Sequence, residues 1–182
     1  MGLLWGKGPR ITAIASARLV TRRAWRAEPA RLPRWRRGAL RTVVLHHTDM
    51  PTAALESDVS AEAAYLRALQ RRHFSWGFAD IGYHFVVVPS GRIFLGRPVW
   101  SLGAHVGGHN AGTVGIALAG DFNVERPTPE AIDSAGYVLH RLVAGAADVP
   151  LLGHQDLAPK DCPGRFLHPY VRTLGDPESH AA

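Results

Sequence analysis

The stretch from Gly153 to Gly164, GHQDLAPKDCPG, concentrates reactive side chains. It holds the sole cysteine, Cys162, and one of the two lysines, Lys160, and His154 lies eight positions before the cysteine. A thiolate and an imidazole at short range supply two of the three protein ligands that a catalytic zinc needs. Pro159 and Pro163 disfavour a regular helix or a central strand here. The stretch therefore reads as a stiff loop that presents both groups to one point. A free cysteine is often no more than a small buried hydrophobe. Its setting among Pro, Asp and Lys in a loop favours the ligand.

The third ligand has to come from the nine other histidines. His46 and His47 end a β-branched run, Thr42–His46, that reads as a buried strand. Neighbours in a strand point to opposite faces, so only one of the pair can aim at a given metal, and composition does not choose between them. His84 lies within a second predicted strand, Ile81–Val88, where it reads as a core histidine. His105 and His109 fall in the glycine-rich segment Gly103–Gly112, which also holds Asn110. His73, His140 and His168 read as surface or packing residues.

The elements that must position these groups alternate along the chain. Asp58 or Ser60 caps a helix running to about His73. Pro89-Ser90-Gly91-Arg92 is turn chemistry that closes a hairpin with Ile93–Gly96. Val114–Ala119 reads as a strand buried on both faces. Thr128-Pro129 opens a helix whose apolar positions, Ile132 to Val143, keep a helical period to about Ala146. Leu151-Leu152 forms a short strand before the loop, and a last helix spans about Arg165–Leu174. Strands interleaved with helices around one core predict an α/β or α+β class with a central mixed sheet flanked by helices.

With 182 residues, 46% hydrophobic and 20% charged, the composition is that of an ordinary globular domain. No apolar run approaches the length of a transmembrane span. Ile11–Ala17 is short for a secretory leader and is followed at once by Arg18. The net charge of +6 is unevenly placed. Residues 1–41 hold ten arginines and Lys7 against Glu28 alone, so they read as a basic, partly irregular arm with Trp25 and Trp35. Residues 42–174 hold the folded domain, and 175–182 a disordered tail. The arm suits anionic cell-envelope polymers. It carries no aromatic-interleaved motif of a nucleic-acid binder, so no nucleic-acid partner is expected.

Four segments, VVLHHTD, DIGYHFVV, GAHVGGHNAGTVGIALAGDF and GHQDLAPKDCPG, occur in an order and spacing that resemble zinc-dependent N-acetylmuramoyl-L-alanine amidases. That amidase-2 family includes peptidoglycan recognition proteins and phage amidase-type lysozymes. The resemblance covers Thr42–Tyr170, and Leu19–Ala27 also resembles the arm before the first strand of recognition proteins. Carried over position by position, it implies His46, His154 and Cys162 as Zn2+ ligands. It also implies Tyr83 and Lys160 as catalytic partners of the metal, and His105 and Asn110 as substrate-binding residues. Gly108 departs from the Arg or Trp frequent at that loop position in relatives.

The implied reaction hydrolyses the amide between N-acetylmuramic acid and L-alanine of the peptidoglycan stem. A cell-wall substrate implies an enzyme that is secreted or released as a phage lysin. Two histidines, a cysteine and an open position are the catalytic form of a zinc site. Lysine occurs twice against nineteen arginines, so Lys160 is not compositional habit. It suits an oxyanion near the metal, and Tyr83 suits a water or a proton. The competing reading is a non-catalytic peptidoglycan-binding module. Members of that kind typically lack the ligand cysteine, which this chain keeps.

Overall fold

The computed structural model describes residues 18–176. The expectations for the leader-like run, the irregular start and the tail therefore fall largely outside the described residues. Six strands are present: β1 Leu19–Val20, β2 Thr42–His47, β3 Phe85–Val87, β4 Ile93–Leu95, β5 Thr113–Leu118 and β6 Leu151–Gly153. The main helices are α1 Val59–Ser75, α2 Pro129–Tyr137 and α3 Tyr170–Gly175. One sheet runs in the order β1-β4-β3-β5-β2-β6, with β3 and β4 antiparallel and every other pair parallel. This is the expected mixed sheet. No helix of the described residues is long and apolar enough to cross a membrane.

Alternation along β2 and β5 divides the core into two layers. Val43, Leu45, Ile116 and Leu118 face Ala131, Ala135 and Val138 around α2, with Leu174 of α3 beside them. On the other side Val86, Phe94 and Ala117 pack against Leu66 and Leu69 of α1 and against Trp25. Trp25 is fully buried, and its indole N–H donates to the Leu95 carbonyl at 2.9 Å. Residues 19–27 thus supply both an edge strand and a core side chain. By alternation, His46 belongs to the α1 side of the sheet and His47 to the α2 side.

Three elements are shorter than their patterns predict. The strand expected over Ile81–Val88 is regular only at Phe85–Val87. Upstream, the Ile81 N–H is taken by the Asp80 carboxylate at 2.8 Å and the Gly82 N–H by His73 Nδ1 at 3.0 Å, so neither joins a ladder. Tyr83 and His84 consequently precede the strand. The helix expected to reach Ala146 stops as an α-helix at Tyr137 and widens into a π-turn over Val138–Leu142. There the Val143 N–H bonds to Val138 O, which carries Val138, Leu139 and Val143 into one core layer. Gly145, at φ 80°, then reverses the chain. The last helix starts at Tyr170 instead of Arg165, because Pro169 lacks the N–H that would bond back to the preceding turn.

Candidate metal centre and its groove

His46 enters from the penultimate position of β2, opposite Ala117 of β5. The β6 strand pairs with the other edge of β2, with Gly153 opposite Leu45, so the next residue, His154, arrives beside His46. Their ring centroids lie 4.8 Å apart. The loop then returns Cys162. The Gln155 N–H donates to Cys162 O at 2.7 Å, and the Asn123 side-chain amide donates to Asp161 O at 3.1 Å. Asp156 braces the loop start, accepting from the Gly153 N–H at 2.7 Å and meeting His168 Nε2 at 2.9 Å.

One donor atom from each of His46, His154 and Cys162 lies within 4.8 Å of the others, so these residues form a possible metal site. Cys162 Sγ is 3.5 Å from His46 Nδ1. Ligand bonds of about 2.3 Å to sulfur and 2.0–2.1 Å to nitrogen at a tetrahedral angle give an edge of about 3.6 Å, so the spacing fits zinc. A second set, His47, Asp49 and Asp121, also has donor atoms within 4.8 Å. Its groups are already engaged. His47 Nδ1 accepts from the Phe122 N–H at 3.2 Å, and Asp49 pairs with Arg72 at 3.1 Å.

Burial holds the His46 imidazole well below its usual pKa, helped by His105 and His154. It lowers His154 as well, with the positive charge of Lys160 acting in the same direction. Both rings are therefore neutral and able to donate a lone pair. Burial pushes the Cys162 thiol up to about 12, against a hydrogen bond from the His47 backbone. Ligation there displaces a thiol proton.

A groove of about 510 Å³ opens beside these residues. His73, Trp76, Phe78 and Tyr83 form part of its lining, together with His105, Asn110, His154 and Lys160. Tyr83 donates its hydroxyl to His47 O at 3.3 Å, and its ring lies 5.2 Å from the His46 ring. Burial raises the Tyr83 phenol far above the range in which it would ionise. Lys160 is exposed at the rim. Asn110 Oδ1 accepts from the N–H groups of His105 and Val106 at 2.8 and 3.0 Å, so its oxygen closes the loop it sits on.

Of the two alternatives read for His73, surface or packing, the structure shows packing. It is 2% exposed, so it is not a surface residue, and it packs within ring-contact distance of Trp76, Phe78 and Tyr83. The signal available was the spacing of His73 and Trp76, three positions apart and hence on one helix face. Asp156 and Thr113 leave no local pattern in the sequence, because their work is bracing across the fold.

The two buried histidines away from the ligands make stability pH-dependent. Burial lowers His73 to about 4, with Arg72 and Arg97 adding to the shift and Asp80 opposing it. Burial also lowers His84 to about 4, with the Ser101 carbonyl opposing and Arg97 and Arg37 adding. The unfolded chain binds these protons from about pH 6.5 downward and the folded one only near 4. Stability therefore falls as pH drops through that window, on the order of 3 kcal/mol per histidine by pH 4. Urea midpoints of the metal-free protein should decline steadily from pH 7 to 4; a flat profile contradicts the burial of neutral rings.

The chain is similar to several known proteins. The human N-acetylmuramoyl-L-alanine amidase is 36% identical over 155 residues, 82% of this chain and 27% of that protein. The chain thus spans about a quarter of the length of this relative. The endolysin of Enterobacteria phage K11 is 33% identical over 113 residues, 59% of this chain and 75% of the endolysin. Peptidoglycan recognition protein-LE, solved in complex with tracheal cytotoxin, a monomeric diaminopimelic acid-type peptidoglycan, superposes with a TM-score of 0.79. It is 28% identical, and the match covers 86% of this chain and 94% of that one. Residues 36–165 match the model of Amidase_2, N-acetylmuramoyl-L-alanine amidase, and the chain belongs to that family.

Proposed function

We propose that the chain is a zinc-dependent amidase that cleaves the bond between the lactyl carbonyl of N-acetylmuramic acid and the amine of L-alanine in peptidoglycan. The observation that carries this reading is the convergence of His46, His154 and Cys162 beside an open groove. The relatives named for amidase and endolysin activity, and the recognition protein bound to a muropeptide, support the substrate class. A purely binding module would use the same groove, but it has no need of the cysteine.

His46, His154 and Cys162 would hold the ion, leaving the fourth position open. Zinc there would polarise the scissile carbonyl and make a water nucleophilic near neutral pH. Tyr83, whose proton is given to His47 O, keeps lone pairs free to accept from that water and orient it. Lys160 places a positive charge by His154, where it favours the negative charge that develops on the carbonyl oxygen. The water oxygen bonds to the lactyl carbonyl carbon, the C–N bond breaks, the alanine nitrogen takes a proton from that water and departs as the amine, and the lactyl group remains on the sugar as a carboxylate. Asn110 retains its amide N–H groups for the peptide, and His105 contributes its ring to the groove.

The test is digestion of purified peptidoglycan followed by mass spectrometry. New L-alanine N-termini and muramic carboxylates are expected, lost on chelation and restored by zinc. New reducing sugar ends instead, or digestion indifferent to chelation, would overturn the reading.

The basic arm supports a second contact, to anionic polymers of the envelope. Its charges are not equivalent. Arg22 and Arg34 are committed to the buried Asp80 at 3.0 and 2.9 Å, whereas Arg23, Arg26 and Arg36 are exposed. Deleting the arm would remove β1 and Trp25, and burial of one tryptophan is alone worth about 3–5 kcal/mol. Replacing Arg23, Arg26 and Arg36 with glutamine leaves the core intact. The variant should sediment less with intact walls at low salt but equally with walls stripped of anionic polymer. Unchanged sedimentation with intact walls would remove this contact.

A further inference from the structure

His105 is 7% exposed, and both of its ring nitrogens are engaged. Nδ1 lies 3.0 Å from His46 Nε2, and Nε2 lies 3.3 Å from Thr113 Oγ1. The Thr113 hydroxyl in turn reaches the carbonyls of Asn110 and His109 at 3.0 and 3.1 Å. Only one assignment of protons satisfies the whole chain together with a metal. His46 Nδ1 faces Cys162 and must be bare to ligate, so Nε2 carries the hydrogen and donates to His105 Nδ1. His105 then carries its own hydrogen on Nε2 and donates to Thr113, whose hydroxyl donates to a loop carbonyl.

The fold makes room for this ring at a cost elsewhere. Gly115 lies in the middle of the central strand β5, and a Cβ there would come within 2.8 Å of His105 Cγ. Gly103 presses on the same ring from the loop, and a Cβ there would meet His105 Cδ2 and Nε2. Glycine inside a strand weakens it and marks a close approach. The approach here is by His105, whose ring meets that of His46 edge-on at 5.0 Å.

We propose that His105 is the positioning residue of His46. Its Nδ1 fixes the tautomer and the angle of that ligand, and Thr113 fixes His105. The proposal rests on the metal-site reading above and deepens it, because the protein would hold the ion through a relay anchored in β5. Groups of this kind are worth 10–100-fold in metal affinity.

Two variants separate the bonds. In His105→Asn, Oδ1 occupies the place of Nδ1 and still accepts from His46. In His105→Gln, the amide occupies the place of Nε2 and keeps only the Thr113 side. Zinc affinity is read by competition with a chromophoric chelator, and ligand geometry by the visible spectrum of the cobalt-loaded protein. His105→Gln should lose about 10–100-fold in affinity and shift the cobalt bands, while His105→Asn stays close to the native protein. Equal affinity in the two variants, or a native value for His105→Gln, overturns the proposal. If neither variant folds, Thr113→Val decides, with a several-fold loss expected and an unchanged affinity overturning it. Cys162→Ser run alongside keeps the two readings apart. If it still binds zinc like the native protein, the metal site itself is wrong; if it does not, a null result at His105 counts against the relay alone.

Discussion

Cys162→Ser is expected to remove zinc binding and, with it, at least about three decades of amidase activity. Serine preserves size and polarity, but its hydroxyl does not give up a proton to become a ligand. His46 and His154 remain, and two neutral imidazoles on a half-open loop form a weak site. Lewis-acid stabilisation is worth several kcal/mol, and each 1.36 kcal/mol is a factor of ten in rate, which sets the magnitude. The fold should survive, since Cys162 is half-buried in a loop held by Gln155 and Asn123 through backbone carbonyls. The measurements are bound zinc per chain, release of L-alanine N-termini, and the unfolding midpoint of the metal-free protein. Native activity in a zinc-free serine variant would end the metal mechanism. Loss of activity with loss of fold would show that the cysteine is structural.

What could be read from the residues was set by whether a group's partner is near in sequence. His154, Lys160 and Cys162 share one proline-bounded loop, so their association needs no tertiary knowledge. The alternation rule also told correctly that His46 and His47 face opposite ways, and the family resemblance then picked His46. In the structure β6 pairs along β2 in a register that delivers His154 next to His46, while His47 turns toward Phe122.

The parts that were not legible depend on distant backbone. Ile81–His84 has the composition of a strand, yet Asp80 and His73 take its N–H groups and leave Tyr83 outside the ladder. The apolar period of 132–143 fits an α-helix, yet the i to i−5 bonding of the π-turn shifts the phase to bury Val143. For His105 the family resemblance implies only substrate binding. Its two ring bonds run to residues 59 and 8 positions away, and the space for the ring comes from two glycines. A histidine in a glycine-rich loop gives no sign of such a relay.

Tyr83→Phe is expected to lower kcat by about 10²–10⁴-fold while leaving zinc content and wall binding as they are. The substitution deletes one oxygen. The ring contacts with His46 and His73 stay, so the ligand geometry and the groove wall are kept. What disappears is the only hydroxyl among the described aromatic residues lining the groove. Because burial keeps the phenol protonated, the role proposed for Tyr83 is that of an oriented donor and acceptor and not of a phenolate base. Its loss should therefore lower the rate at all pH values without creating a new limb in the pH profile. A loss of zinc in the phenylalanine variant would reassign Tyr83 to holding the site. Unchanged kcat would leave water orientation to the metal ligands and Lys160 alone. A protein whose task was only to bind peptidoglycan would show no activity to lose, so the same experiment separates the enzyme from the recognition module. It does so without disturbing the metal, which the cysteine variant cannot.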